Sequence, residues 1–194
     1  GCFPCPATYD LLFAMNGLNE LPEEDDAVCL ENACSLVEKD GALIMIEPAT
    51  RNESRRLLRF RDLSVKNGAT IYSPCTRQAD CPALINPNDW CHTEIAWERP
   101  KFIEAIDEIV GNVRLSLKST YLAITKNGDT LSARLEKEKL SRVVSELFIE
   151  KGRRRVFLCN TDGRHEFVMN TRDKSHLNSY VLELERYDLI DLSG

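Results

Sequence analysis

Apolar positions along the first seventy residues switch between two periods. YDLLFAM (9–15) is a short apolar run that suits a buried strand. EEDDAVCLENACSLVEKDG (23–41) then sets Ala27, Leu30, Ala33, Cys34 and Val37 at helical spacing, with Gly41 as the predicted stop. ALIMIEP (42–48) reads as a second buried strand and ATIYSP (69–74) as a third. Between them NESRRLLRFRDLSVKNG (52–68) reads as a helix, with Asn52 as its predicted N-cap and Gly68 as its C-terminal signal. Strand, helix, strand, helix, strand predicts parallel pairing with right-handed crossovers. Ligands of such sheets bind beyond the carboxyl ends of the strands, where Asn16, Asn19, Glu20 and Glu47 fall, although each residue type also caps strand ends.

The pattern changes after residue 92. HTEIAW and STYLAITKNGDTL read as strands, with a short helical piece, PKFIEAIDEIV, between them. RVVSELFIEKGRRRVFLCNTDGRHEFVMN holds three β-rich runs separated by the turn signals EKG and TDG, and RDKSHLNSYVLELERY reads as a closing helix. The expected organisation is one domain over residues 1–130 with a small β module appended over 131–194. No repeat or low-complexity linker interrupts it.

The segment SPCTRQADCPALINPNDWCHTEIAW (73–97) carries the candidate chemistry. Cys75, Cys81 and Cys91 are spaced C-x5-C-x9-C, and Cys159 lies on or just after a strand before the TDG turn. Four thiolates can close a tetrahedral site. Zinc turns use shorter gaps, whereas these suit ligands that encircle a larger object such as a four-iron cluster. Zinc, and buried thiols or a redox pair, remain open on spacing alone. Pro74 and Pro82 stiffen the loop, His92 is the obvious substitute ligand, and Arg77 with Arg153, Arg154 and Arg155 can offset thiolate charge. The pair Cys2 and Cys5 has C-x2-C spacing but no matching second pair. Cys29 and Cys34 sit on different faces of a predicted helix, and Cys34 is expected to pack as a small hydrophobe. His165 and His176 stand alone in surface-like contexts.

Charge narrows the partners. A net charge of -6 excludes a uniformly basic nucleic-acid binder, so RNA contact must be local. Candidate contacts are Arg55 and Arg59, four apart on one helix face, and the run Arg153, Arg154 and Arg155; solvated surface faces are the alternative reading. No run approaches the roughly 20 apolar residues of a spanning helix, and no charged n-region precedes an apolar h-region, so no targeting segment is visible.

YDLLFAMNGLNELPEE, GALIMIEPAT, SPCTRQADCP, DWCH and RVVSELFIEKGRRRVFLCNTDGR together resemble the methyltransferase-like small-ribosomal-subunit assembly family of bacteria and mitochondria. The resemblance covers nearly the whole chain. It implies the C-terminal part of a Rossmann-type methyltransferase sheet with the cysteine loop (74–92) inserted, and a small antiparallel β module. It also implies a four-iron, four-sulfur cluster on Cys75, Cys81, Cys91 and Cys159, contact with small-subunit rRNA and ribosomal proteins, and a mitochondrial-matrix or bacterial-cytoplasmic setting. Ala49 stands where the family has glycine, and none of the nine glycines forms a G-x-G-x-G cluster. S-adenosylmethionine binding by this chain is therefore doubtful, and another chain or segment is expected to supply the missing sheet half. Pro74–Cys75 is similar to the nucleophile pair of cytosine C5 methyltransferases, but it follows a later strand and is better explained as a cluster ligand. The expected function is small-subunit assembly or translation. The alternatives are an active rRNA methyltransferase that needs the missing part, and a zinc-stabilised interaction module.

Overall fold

The strand Val37–Pro48 (β2) organises the first half of the molecule. Its alternation buries Gly41, Leu43, Met45 and Glu47 on one face. The computed structural model describes residues 7–113, 115–175 and 178–191. Tyr9–Met15 (β1) pairs in parallel with β2, Phe13 opposite Ile44 and Met15 opposite Ile46. Asp26–Leu36 (α1) precedes β2, Arg51–Lys66 (α2) follows it, and Thr70–Ser73 (β3) comes next. After Thr93–Ala96 (β4) and Lys101–Val110 (α3), the long strand Ser116–Thr125 (β5) returns.

β5 corrects the expected pairing. It inserts between β2 and β3 and runs antiparallel to both, giving the order β1-β2-β5-β3, with β4 on the outer part of β5. β1, β2 and β3 do run in one direction, but β3 pairs with β5 and not with β2. Helical and strand periods fix element type and direction, whereas the neighbour is chosen by which strand best fills the gap. Here Leu122 and Ile124 of β5 point inward and join Leu43, Met45, Leu57, Phe60 and Ile71 in the first core.

Three smaller expectations also give way. α1 ends at Leu36 and the chain enters β2 at once, so Gly41 lies inside a strand. A Cβ there would stand 2.7 Å from the Asp10 carbonyl oxygen, so the glycine permits close approach of β1 rather than stopping a helix. Thr50, not Asn52, caps α2, its hydroxyl accepting from the Glu53 N–H. The expected closing helix is a short 3₁₀ turn, Ser179–Glu183, followed by a strand, Leu189–Asp191 (β10).

The second sheet is antiparallel throughout. The short helix Leu131–Arg134 (α4) leads into Leu140–Val143 (β6), Phe148–Glu150 (β7), Arg153–Asn160 (β8) and Gly163–Asn170 (β9). The order is β10-β6-β8-β7, with β9 also on β8. Both expected hairpin turns are present. Gly152 and Gly163 adopt positive φ at 81° and 121°, conformations that glycine takes without strain. Val143, Val156, Leu158, Met169, Val181 and Ile190 form a second core.

Candidate metal centre

α2 carries the cysteine loop on its back. Its inner side, Leu57 and Phe60, joins the first core, while the side away from the sheet is studded with arginines turned to internal use. The Arg55 guanidinium donates to the carbonyls of Ala83, Leu84, Asn86 and Asp89, at 3.1, 3.3, 2.8 and 2.7 Å, so one side chain holds the whole turn after Cys81. Arg61, 1% exposed, donates to the carbonyls of Arg77 and Ala79 and pairs with Asp62. Both Asp62 oxygens accept from the Cys81 N–H, at 3.1 and 3.0 Å. Gln78 then mimics a strand neighbour: its amide accepts from the Ile71 N–H at 2.9 Å and donates to the Ile71 carbonyl at 2.8 Å.

The C-terminal module closes the loop from the other side. Arg142 donates to the Pro74 carbonyl at 2.9 Å and also to the Tyr187 carbonyl. Thr76 donates to the Cys159 carbonyl at 3.3 Å, and Arg77 to the Thr161 carbonyl. Arg164 pairs with Asp89 at 2.7 Å. The Tyr187 hydroxyl lies 3.3 Å from Cys91 Sγ. Between the two layers is a cavity lined by all four expected cysteines, Cys75, Cys81, Cys91 and Cys159, with Leu58, Trp90, Arg142, Arg164 and Tyr187 in its walls.

The thiols sense one another. Burial raises the pKa of each: Cys91 to about 11 and Cys159 to about 12, with Cys81 higher still. After burial, negative charge on Cys75 is the next contribution for Cys81 and Cys159. Opposing this, the Arg61 guanidinium favours the Cys75 thiolate, Tyr187 favours that of Cys91, and Arg61 followed by Arg77 favours that of Cys159. Four partly buried thiols facing one cavity, with guanidinium groups around it, form a donor set that fits a thiolate-bound metal group: such a group would replace the protons, and the arginines would offset the remaining charge. Among the described residues, no three His, Cys, Asp or Glu side chains are gathered tightly enough to hold a single metal ion.

Residues 5–184 match the model of the family described as mitochondrial small ribosomal subunit Rsm22. The chain belongs to the Rsm22 family. A search of curated proteins found no match. Membership gives the chain a function related to the small ribosomal subunit, and among the described residues no helix is long and apolar enough to cross a membrane.

The other candidates among the described residues lie outside the cavity. His92 is buried beside Cys91 and stacks on Trp90 at 6.0 Å, yet it does not line the cavity; burial lowers its pKa to about 4. Cys29 and Cys34 both pack against the first core, as anticipated for Cys34. Cys2, Cys5 and His176 lie outside the described residues. Of the expected RNA contacts, Arg59 is an exposed partner of Glu23, Arg153 pairs with Glu150, and Arg155 bridges Glu150 and Glu166 while covering the Phe148 ring. Arg154 donates to the backbone carbonyls of Glu150 and Arg153. Sequence reasoning missed Arg61, Asp62, Arg142 and Arg164, each part of a periodic element, and Tyr187, which lies in the turn before β10; none carries a spacing signal of its own.

Proposed function

We propose that this chain is a small-subunit assembly or translation factor that binds rRNA and carries a four-iron, four-sulfur cluster on Cys75, Cys81, Cys91 and Cys159. The observation that carries the reading is the convergence of these four cysteines, from two separate segments, on one arginine-ringed cavity. The wide C-x5-C-x9-C spacing favours a cluster over a single zinc ion. The cysteines hold the cluster, Arg61 and Arg142 balance its charge, and the cluster's role is to tie the loop to the C-terminal module.

The first sheet is read as part of a Rossmann-type methyltransferase scaffold, over residues 1–130, with the β module over 131–194. The common direction of β1, β2 and β3 supports this. Another chain or segment completes the sheet at β1, an edge strand whose Leu11, Phe13 and Met15 are 47%, 56% and 58% exposed, an unprotected apolar edge of the kind that soluble proteins cover. The mitochondrial matrix fits the family's name.

The rRNA contacts rest on Arg59, Arg153 and Arg154 rather than Arg55, whose donors are taken by the loop. Replacing Arg153 and Arg154 with Ala lowers affinity for small-subunit rRNA and reduces the slope of log affinity against log salt by about 1–2, since each lost phosphate contact removes a released counterion. Filter binding at several salt concentrations reads both. An unchanged affinity and slope excludes this surface.

A further inference from the structure

A second cleft, of about 240 Å³, lies beyond the carboxyl ends of the parallel pair β1 and β2, where the first turn of α2 meets the chain leaving β1. Asn19, Glu23, Glu47, Asn52, Glu53 and Arg56 border it. Position alone marks it as a place for a ligand. Glu47 gives the independent sign. The inward alternation of β2 that buries Leu43 and Met45 also buries this carboxylate, leaving it 1% exposed. Asn16 takes positive φ (50°), a conformation asparagine tolerates, and so turns the chain until the Gly17 and Leu18 N–H groups donate to Glu47 Oε1 at 3.0 and 2.8 Å. Oε2 is buried and has no partner among the described residues. A buried carboxylate oxygen left open is costly unless a donor satisfies it.

The sign of that donor follows from the charges facing the cleft. The start of α2 and Arg56 would otherwise attract an anion. Arg56, however, is already bound to Asp26 and to the carbonyls of Leu21 and Pro22, and Thr50 has taken the Glu53 N–H. Glu23 is matched by Arg59, whereas Glu47 and Glu53 have no ion-pair partner among the described residues. The field left in the cleft is negative. Asn19 and Asn52 can accept further N–H groups from either side. We propose that this cleft binds a compact organic cation, an alkylammonium or guanidinium group, through Glu47 Oε2. The inference is independent of the metal centre and of RNA binding.

The test is an amide NMR titration of the protein with methylguanidinium, methylammonium and putrescine, each against sodium chloride at matched ionic strength, with adenosine and sulfate as neutral and anionic probes. The Gly17 and Leu18 amides report on Glu47 directly. Saturable shifts of these two with at least one organic cation, and not with sodium, are expected. Preference for methylguanidinium indicates an arginine side chain as the natural source, and preference for the amines indicates a lysine side chain or a polyamine. Glu47→Gln lowers the apparent affinity about tenfold or more, the loss of one charge-assisted hydrogen bond. Should that variant fail to fold, Glu53→Gln at the rim, expected to weaken binding about twofold to threefold, provides the second reading. No saturable shift with any cation, affinity unchanged in the variants, or saturation by adenosine or sulfate alone overturns the proposal.

Discussion

Asp62 shows how much a single side chain carries in this molecule. On a helical wheel it is one more charge in an arginine-rich helix. In the structure its carboxylate pairs with buried Arg61 and accepts the Cys81 N–H with both oxygens, so it sets where a proposed ligand stands. Cys75, Cys81 and Cys91 stood out through local spacing and Cys159 through the family resemblance, and all four line one cavity; Asp62, Arg142 and Tyr187 did not stand out, because their partners lie in other segments. The thiols make a prediction at this scale. In the metal-free protein Cys91 and Cys159 hold their protons up to about 11 and about 12, against an ordinary value of 9.0, because burial penalises the thiolate. The folded state then binds these protons more tightly than the unfolded chain. Their stabilising contribution is complete below pH 9.0 and is lost as pH rises through about 11 and 12. The urea midpoint of the metal-free protein should fall over that range. Metal loading runs the opposite way, gaining with pH because each thiolate bound releases a proton. A midpoint that held steady in alkali would show that the thiols are not buried as described.

At the scale of elements, α2 is the frame on which the site is built. Its pattern was read correctly as a helix, and of its five arginines, Arg51, Arg55, Arg56, Arg59 and Arg61, the pair Arg55 and Arg59 was read as RNA-facing or solvated. The five are mostly staples. Arg55 and Arg59 lie on one helix face as their spacing required, but only Arg59 is exposed, since a fixed spacing gives the face and not what covers it. Arg55→Ala should cost about 2 kcal/mol, the loss of a guanidinium serving several carbonyls, and should speed hydrogen exchange at residues 83–89. Arg59→Ala should change stability by less than about 0.5 kcal/mol, as exposed ion pairs do. Urea unfolding of the two variants checks the contrast, and equal effects would contradict it. The strands were legible for a related reason: β1, β2 and β3 announce themselves locally, while the insertion of β5 between β2 and β3 is a long-range choice that no local period encodes. The closing helix failed likewise, its apolar residues Val181 and Leu184 being drawn into the second core as a 3₁₀ turn.

At the scale of the whole molecule, two five-stranded sheets with separate cores meet across the cysteine cavity. The loop supplies three thiols and β8 the fourth, so the proposed cluster would be a cross-link between the halves in addition to the bonds from Thr76, Arg77, Arg142 and Arg164. Removing one ligand should loosen both sides at once. In Cys159→Ser, hydrogen exchange should quicken about tenfold or more at residues 74–92 as well as at β8 itself. Unchanged exchange at residues 74–92 would mean that the halves are held by hydrogen bonds alone.

The most direct test is the metal content of the protein purified without oxygen, measured as iron, acid-labile sulfide and zinc together with the visible spectrum. The account predicts a brown protein holding about four irons and four sulfides per chain with little zinc, and loss of the colour in Cys75→Ser but not in Cys34→Ser. A colourless protein holding about one zinc per chain would contradict it.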